Sequence, residues 1–188
     1  LEKTMKVVIL CGGEGTRIRD VTENVPKPMI SIGGFPILWH ILKYYAHWGH
    51  KESILCLGYQ WEVIKNFFLN YEAHTRDFTI KLNRSKSINF CGDFSEEDME
   101  ITLANTGLDS MTGTRVKRIY NYVKDQDNFL LTYGDGLSNV NIKKLVKFHN
   151  RKKAEVTLTA VRPKQRYGVL KINKDRVKFF DNSKEKID

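Results

Sequence analysis

Cysteine and long apolar segments are both scarce in this sequence. The three cysteines are odd in number and lie far apart, without a C-x-x-C pair, so neither a disulfide framework nor a zinc site is indicated. We expect all three to be buried free thiols. No apolar run approaches the roughly 18 residues that a membrane-spanning helix needs, and the acidic Glu2 stands where a signal peptide would be basic. The sequence therefore predicts a cytoplasmic protein with no membrane partner.

Internal repeats, low-complexity segments and linkers rich in proline or serine are absent as well. The 188 residues are 41% hydrophobic and 28% charged, a composition typical of one globular domain with a proper core. This balance argues against intrinsic disorder. We expect a single domain over residues 1–188.

The net charge of +9 comes from one part of the chain. Residues 142–188 hold 15 Lys and Arg against 5 Asp and Glu, whereas residues 1–141 hold 16 against 17. A basic tail can contact the phosphates of nucleic acid, which leaves a nucleic-acid binder as an alternative. Strand-like apolar patterns interrupt this tail, and it carries no DNA- or RNA-binding signature. A solvated basic face is therefore favoured, and no nucleic-acid partner is expected.

Strand-type apolar runs alternate with helix-type apolar spacing along the chain. Strands are predicted over residues 6–11, 53–57, 78–82, 100–103, 129–133, 155–161, 169–172 and 177–180. Helices are predicted over residues 36–48, 60–71 and 113–123, and from about residue 142 onward. In the third helix we expect Ile119 and Tyr120 to face the core. The alternation indicates an α/β fold with a mostly parallel sheet and helices on both faces, whose ligands bind at the carboxyl ends of the strands.

A glycine-rich segment, Gly12-Gly13-Glu14-Gly15-Thr16-Arg17, directly follows the first predicted strand. Its backbone N–H groups can approach phosphate without a Cβ in the way. The segment is not a Walker A loop, and it lacks the last glycine of the dinucleotide fingerprint because Ile18 stands there. An ordinary strand-to-helix turn is the alternative, but a guanidinium at the end of the loop suits bidentate capture of phosphate oxygens.

Lys27 precedes Pro28 downstream of the glycine-rich segment. Because proline disfavours a helical backbone at the residue before it, we expect an extended Lys27 whose ammonium faces the glycine-rich segment. Two fixed cations and a set of amides suit a polyphosphate, whose reaction needs charge neutralisation and positioning. A plain surface turn is the alternative for a Lys-Pro pair.

Asp135 follows another predicted buried strand and is flanked by Gly134 and Gly136. Its carboxylate would stand at the carboxyl edge of the sheet. Mg²⁺ takes one or two protein carboxylates and fills its other positions with phosphate oxygens and water, so this position suits a magnesium ligand. Asp-Gly also marks hairpins, which leaves a type I′ turn as the alternative.

Thr112 and Arg115 lie at the start of a predicted helix. Free N–H groups and the dipole at a helix start favour an anion or a polar base edge. A capping role for Thr112 is the alternative.

Taken together, these motifs resemble those of the sugar-1-phosphate nucleotidyltransferases. The matching segments, in chain order, are residues 12–17, 27–29, 32–37, 106–113 with Arg115, and 133–136. The likeness runs from Met5 to about Ile172 and implies a Rossmann-like fold of the nucleotide-diphospho-sugar transferase type. It further implies direct in-line transfer of a nucleotidyl group to a sugar 1-phosphate, without a covalent enzyme intermediate. Within this resemblance, residues 110–113 and Gly136 favour CTP as the nucleotide, with UTP or dTTP as the alternative. The sugar phosphate that the resemblance implies is glucose 1-phosphate.

The resemblance also implies a role for each matching position. Arg17 would hold the leaving pyrophosphate, Lys27 would neutralise the α-phosphate and the sugar phosphate, and Asp135 would ligate Mg²⁺. The positions implied to bind the nucleotide are Gly12, Gly13, Gly15, Thr16, Thr112 and Arg115. Those implied to bind the sugar phosphate are Tyr167, Gly168, Glu185 and Lys186.

Two features depart from the family pattern. Glu185 and Lys186 lack the proline that follows this pair in the family, and their spacing from the strand ending at Phe180 differs. A second metal-binding aspartate would lie beyond Asp188, so we expect a chain truncated at its C-terminus. A non-catalytic nucleotide-binding or assembly domain is the resulting alternative. Aromatic residues of the helix over residues 60–71 favour a homo-oligomer.

Overall fold

The computed structural model describes residues 4–13, 25–82, 87–92, 98–161, 169–173 and 176–181. The chain divides into two compact units, Leu1–Asn139 and Val140–Asp188. The single domain expected over residues 1–188 stays a prediction. Among the described residues, no helix combines the length and apolar character needed to cross a bilayer.

A four-stranded parallel sheet forms the centre of the first unit. Its strands, in chain order, are β1 (Val7–Cys11), β4 (Glu52–Leu57), β7 (Glu100–Asn105) and β8 (Leu130–Tyr133), and their spatial order is β7-β4-β1-β8. Ile9 of β1 pairs with Leu55 of β4 on one side and with Thr132 of β8 on the other. All five residues of β1 are buried, as expected for a strand with neighbours on both edges and helices on both faces. Because the strands are parallel, their carboxyl ends meet at one edge.

Short helices and two hairpins connect these strands. The hairpins are β2 (Ser31–Ile32) with β3 (Phe35–Pro36), and β5 (Phe78–Lys81) with β6 (Ser87–Phe90). The helices are α1 (Ile37–His47), α2 (Trp61–Leu69), α3 (Tyr71–Thr75), α4 (Thr112–Arg118) and α5 (Tyr120–Val123). Gly49, which directly follows the helix predicted over residues 36–48, has a φ of +87° and lies after the last turn of α1.

The core of this unit lies on both faces of the sheet. Alternate residues of β1 point to opposite faces, and on one face Val7 and Ile9 pack with Leu38 and Leu42 of α1. On the other face Val8 packs with residues of β4 and of the α4–α5 segment, namely Ile54, Cys56, Ile119 and Val123. Fully burying one such aliphatic side chain contributes roughly 1.5–3 kcal/mol. The predicted α/β fold with a parallel sheet and helices on both faces is confirmed.

Several local predictions for the first unit are wrong. The helix predicted over residues 60–71 is present as α2, but it ends at Leu69 and a second short helix, α3, follows. Tyr120, expected inside, has 63% of its surface exposed, while Ile119 is fully buried. Cys11 and Cys56 are buried as expected, but Cys91, which directly follows the separate two-stranded hairpin β5–β6, is exposed. Strand β6 itself was not anticipated.

The second unit contains helix α6 (Ile142–Lys152) and the antiparallel hairpin β9 (Val169–Asn173) with β10 (Arg176–Asp181). The side chain of Asn141 caps α6 by accepting a 2.9 Å hydrogen bond from the N–H of Lys144. The strands predicted over residues 169–172 and 177–180 are confirmed, whereas the strand predicted over residues 155–161 is wrong. No strand among the described residues pairs with that segment, and without a partner its backbone groups cannot form a ladder.

Candidate functional site

Gly12 and Gly13 lie directly after β1, at the carboxyl edge of the sheet. Gly12 is buried and Gly13 is exposed. The carbonyl oxygen of Gly12 accepts two hydrogen bonds, from the N–H of Tyr59 at 3.2 Å and from Nη2 of Arg115 at 2.9 Å. These two hydrogen bonds hold Gly12, the first residue of the glycine-rich segment, inside the protein, while Gly13 is exposed.

Lys27 reaches the same edge from a one-turn 3₁₀ helix over Lys27–Met29. The turn is closed by hydrogen bonds from Met29 N to Pro26 O at 2.7 Å and from Ile30 N to Lys27 O at 3.1 Å. The extended backbone predicted for Lys27 is wrong, because the extended residue is Pro26, with φ −65° and ψ 144°. Pro26 and Pro28 are both buried, so the turn is held from both sides and the Lys27 side chain is only 17% exposed.

Asp135 lies beside Lys27. Its Oδ2 is 3.9 Å from Nζ of Lys27, and its side chain is 42% exposed. The preceding Gly134 donates its N–H to Leu10 O at 3.0 Å, and a Cβ built there would stand 2.8 Å from Sγ of Cys11 and 3.0 Å from Cγ of Pro28. The end of β1, the turn over Lys27–Met29 (the lysine turn) and the turn at Gly134 and Asp135 (the aspartate turn) therefore lie close together.

The hairpin alternative for Asp135 is wrong, because β8 pairs with β1 in parallel rather than turning back on itself. A carboxylate at the open edge of a parallel sheet, beside an ammonium group, can bind a divalent cation that arrives with a phosphate. Among the residues that the structure describes, no group of three or more His, Cys, Asp and Glu could hold a metal by itself. A single carboxylate fits Mg²⁺, which draws its other ligands from phosphate and water.

Arg115 is buried, with 5% of its surface exposed, and its guanidinium lies beneath the glycine segment. Apart from Gly12 O, its hydrogen-bond acceptors at 2.7–3.0 Å are Leu57 O, Thr106 Oγ1, Gly107 O and Leu108 O. Burial lowers the pKa of this guanidinium. Sequence reasoning placed Arg115 on the nucleotide side and did not anticipate these backbone contacts; its contact with a nucleotide stays a prediction.

Thr112 is exposed at the first position of α4. The capping alternative for this residue is wrong, because the residue that precedes the helix as its cap is Met111, which makes no side-chain capping bond. Nucleotide binding by Thr112 stays a prediction. The remaining predicted site residues lie outside the described residues, namely Gly15, Thr16, Arg17, Tyr167, Gly168, Glu185 and Lys186.

Comparison with known proteins gives consistent matches over nearly the whole chain. The glucose-1-phosphate cytidylyltransferase of Salmonella typhimurium is 45% identical over 176 residues, which cover 94% of this chain and 68% of that protein. The probable glucose-1-phosphate cytidylyltransferase of Bacillus subtilis is 42% identical over the same shares.

Among solved structures, HddC from Yersinia pseudotuberculosis complexed with GMP-PN has the same fold. It superposes with a TM-score of 0.68 at 22% identity, covering 97% of this chain and 71% of that one. The model of the nucleotidyl transferase family matches residues 6–186. These residues include both compact units, the glycine segment and the Lys27–Asp135 pair, and the chain belongs to the nucleotidyl transferase family.

Proposed function

We propose that this protein transfers a cytidylyl group from CTP to glucose 1-phosphate and releases pyrophosphate. The support is twofold: the two relatives that are 45% and 42% identical carry the name of that activity, and the edge of the sheet has the charges that such a reaction needs. The observation that carries the proposal is the 3.9 Å approach of Lys27 Nζ to Asp135 Oδ2 at the end of β1, the strand that Gly12 and Gly13 directly follow.

The chemistry is an in-line displacement at phosphorus. An oxygen of the sugar phosphate forms a bond to the α-phosphorus of the nucleotide, and the bond from that phosphorus to the bridging oxygen breaks. The electron pair of that bond leaves on pyrophosphate. Catalysis of such a step is mostly positioning and charge stabilisation, since the protein needs to form no covalent bond.

Each described residue has a part that its position supports. Gly13, exposed at the end of β1, offers a backbone N–H to a phosphate oxygen. Lys27, fixed by its 3₁₀ turn and mostly shielded from solvent, offsets the charge on the α-phosphate as the sugar phosphate approaches. A shielded ammonium is stronger in this role than one in bulk water, because the local dielectric is lower.

Asp135 would hold Mg²⁺. Its carboxylate is accessible, faces the same edge as Lys27 and belongs to a tight turn that Gly134 fastens to β1. When bound, Mg²⁺ neutralises phosphate oxygens and polarises the phosphorus that is attacked. Further roles follow from the family resemblance: Arg17 on pyrophosphate; Gly12, Gly15, Thr16, Thr112 and Arg115 on the nucleotide; Tyr167, Gly168, Glu185 and Lys186 on the sugar phosphate. The cytoplasmic location and a homo-oligomer also stay predictions.

The experiment is a nucleotide panel on this chain. Purified protein is incubated with glucose 1-phosphate, Mg²⁺ and each of CTP, UTP, dTTP, ATP and GTP, and released pyrophosphate is measured. We expect release with CTP at a rate at least about tenfold above the other nucleotides, the discrimination that one net hydrogen bond of about 1.4 kcal/mol to the base supplies. Omission of glucose 1-phosphate and addition of EDTA serve as controls, and both should abolish release.

Other outcomes identify the alternatives. If the protein prefers UTP or dTTP, the proposed nucleotide substrate is wrong, but the proposed type of reaction stands. Calorimetry that detects CTP binding, together with no pyrophosphate release from any pair of substrates, would favour the non-catalytic binding domain and contradict the proposed enzyme.

A further inference from the structure

We propose that Arg115 is a positioning residue that fixes the Gly12–Gly13 peptide so that the N–H of Gly13 faces the substrate. In this role the guanidinium acts through the backbone. The use of that N–H by a phosphate rests on the proposed function, whereas the fixing of the peptide can be tested without any substrate.

The hydrogen bonds of Arg115 join the carboxyl ends of three neighbouring strands. Nη2 donates to Gly12 O after β1 and to Leu108 O after β7, both at 2.9 Å. Nη1 lies 3.0 Å from Leu57 O at the end of β4 and 2.7 Å from Gly107 O after β7. The guanidinium of Arg115 thus contacts the segments at the carboxyl ends of β1, β4 and β7 at the same time.

The geometry of a trans peptide links the Gly12 carbonyl to the Gly13 N–H. In a planar trans peptide the C=O and the following N–H point in opposite directions. The Gly12 carbonyl accepts from Arg115 and from the N–H of Tyr59, so both of its lone pairs are directed into the protein. The N–H of Gly13 is consequently turned away from Arg115, on the exposed side of the segment.

The space around the guanidinium requires glycine at two positions. A Cβ at Gly58 would stand 2.5 Å from Nη1 and 2.7 Å from both Nη2 and Gly12 O, and a Cβ at Gly12 would overlap the guanidinium. Both glycines, which directly follow the adjacent strands β1 and β4, leave room for the same planar group. This independent observation indicates that Arg115 occupies a site shaped for it.

A lysine at this position could not reproduce the arrangement. Its ammonium is a compact point charge without the planar fork that contacts carbonyls on opposite sides. Among the described residues, no carboxylate forms an ion pair with Arg115, and its hydrogen-bond acceptors there are carbonyl and hydroxyl oxygens. The cation therefore also adds positive potential directly beneath the segment that would meet phosphate.

Arg115→Lys tests the inference, with Arg118→Lys as the matched control. Arg118 lies on the same helix α4 and also contacts loop oxygens, Thr106 O and Ser110 Oγ, but it is exposed and does not touch Gly12. Amide hydrogen exchange is measured on both ligand-free variants and on the parent. We expect the Tyr59 amide, whose acceptor is Gly12 O, to exchange at least about tenfold faster in Arg115→Lys only, because local opening controls exchange.

Steady-state kinetics supply the second readout. Misplacing a substrate-binding group by about 1 Å can cost up to about 10²-fold in rate. We therefore expect kcat/KM for the nucleotide to fall at least tenfold in Arg115→Lys while KM for glucose 1-phosphate changes less than twofold. If Arg115 had a merely structural role, Arg115→Lys would lower the melting temperature. The exchange rate of the Tyr59 amide would then stay unchanged, and so would kcat/KM for the nucleotide relative to KM for glucose 1-phosphate.

Gly58→Ala is a second variant. It keeps Arg115, but the added Cβ would stand 2.5 Å from Nη1 and displace the guanidinium. It should reproduce the faster Tyr59 exchange, and it decides the question if Arg115→Lys fails to fold. Parental exchange at Tyr59 in folded Arg115→Lys or folded Gly58→Ala would overturn the inference. If the parent turns over no substrate but exchange still rises in the variant, then the proposed function fails and the positioning role stands.

Discussion

Nζ of Lys27 lies 3.9 Å from Oδ2 of Asp135, although the two residues come from distant parts of the chain. An ion pair with a partly exposed carboxylate contributes only about 0–1 kcal/mol to stability. Stability therefore does not explain why the turns hold the Lys27 ammonium and the Asp135 carboxylate together, whereas a role of the two groups in the reaction does. Substitution of either residue should change activity far more than stability.

Lys27→Ala should lower kcat for pyrophosphate release by about 10²-fold or more, because a preorganised charge is lost from the transition state. The free energy of unfolding should fall by no more than about 1 kcal/mol. Lys6→Ala is the control, since Lys6 also pairs with carboxylates, Glu52 at 3.9 Å and Asp125 at 3.7 Å, but lies before β1 at the amino end of the sheet. A near-normal rate for Lys27→Ala would remove Lys27 from the mechanism.

Asp135→Asn should raise the Mg²⁺ concentration that gives half-maximal activity by at least about tenfold, the effect that loss of even an outer-shell partner produces. The amide keeps the shape of the side chain but removes the charge that holds a hard cation. Titration of Mg²⁺ at saturating substrates provides the measurement. Asp125→Asn, which changes a carboxylate of the Lys6 pair, should leave the titration unchanged. An unaltered midpoint in Asp135→Asn would exclude this carboxylate as a metal ligand.

Gly134→Ala should destabilise the fold by about 1–3 kcal/mol, the usual cost of overpacking. The added Cβ would meet Sγ of Cys11 at 2.8 Å and Cγ of Pro28 at 3.0 Å, so β8 and the lysine turn must separate. Urea unfolding gives the free energy. Gly136→Ala is the comparison, because a Cβ there meets nothing within 4 Å. Equal stability of the two variants would contradict the close approach at Gly134.

Stability should fall as the pH rises from 9 to 11, in part because of the Cys56 thiol. Burial raises the pKa of this thiol from 9.0 to about 11 in the folded chain, with a smaller opposing effect from Arg115. In that pH window the unfolded chain has lost the thiol proton and the folded chain retains it. The unfolded state therefore gains stability with rising pH, by at most about 1.4 kcal/mol per pH unit for one group.

Urea unfolding at pH 8, 9, 10 and 11 checks this prediction. In Cys56→Ala the free energy of unfolding should fall less steeply with pH than in the parent. In Cys91→Ala it should fall with the parental slope, because Cys91 is exposed. The remaining slope in Cys56→Ala should include Cys11, whose pKa burial also raises. Identical slopes for the parent and Cys56→Ala would show that this thiol is not desolvated in the folded state.

The central sheet and the edge that carries the site could be predicted from the sequence. The run ending at Cys11 is apolar at every position, which indicates a strand buried on both faces, and a strand of that kind belongs to a parallel sheet. Gly12 directly follows this strand, and Asp135 follows β8. The burial predicted for β8 is wrong, because Leu131 and Tyr133 are 48% and 59% exposed. The parallel pairing of β8 with β1 nevertheless brings both residues to one edge. The parts that could be predicted depend on patterns within a few neighbouring residues.

What could not be predicted depends on contacts between distant residues. Arg115 and Arg118 lie three positions apart on one helix, yet the first is buried among carbonyls from three loops and the second is exposed. No local spacing distinguishes them, because the acceptors of Arg115 include Gly12 and Leu57, far away in the chain. The apolar spacing of residues 155–161 matched a strand, but a strand also requires a neighbour with free backbone groups.

The placement of β1 between β4 and β8 has a consequence for biosynthesis. β1 leaves the ribosome before both of its partners. It acquires one partner only when residues 52–57 have emerged, and the other only after residues 130–133. Until then a strongly apolar strand exposes unpaired backbone groups, which is the state most prone to aggregation. Nascent chains in which β8 has not yet emerged should therefore depend on chaperones more than chains in which β1 has both of its partners.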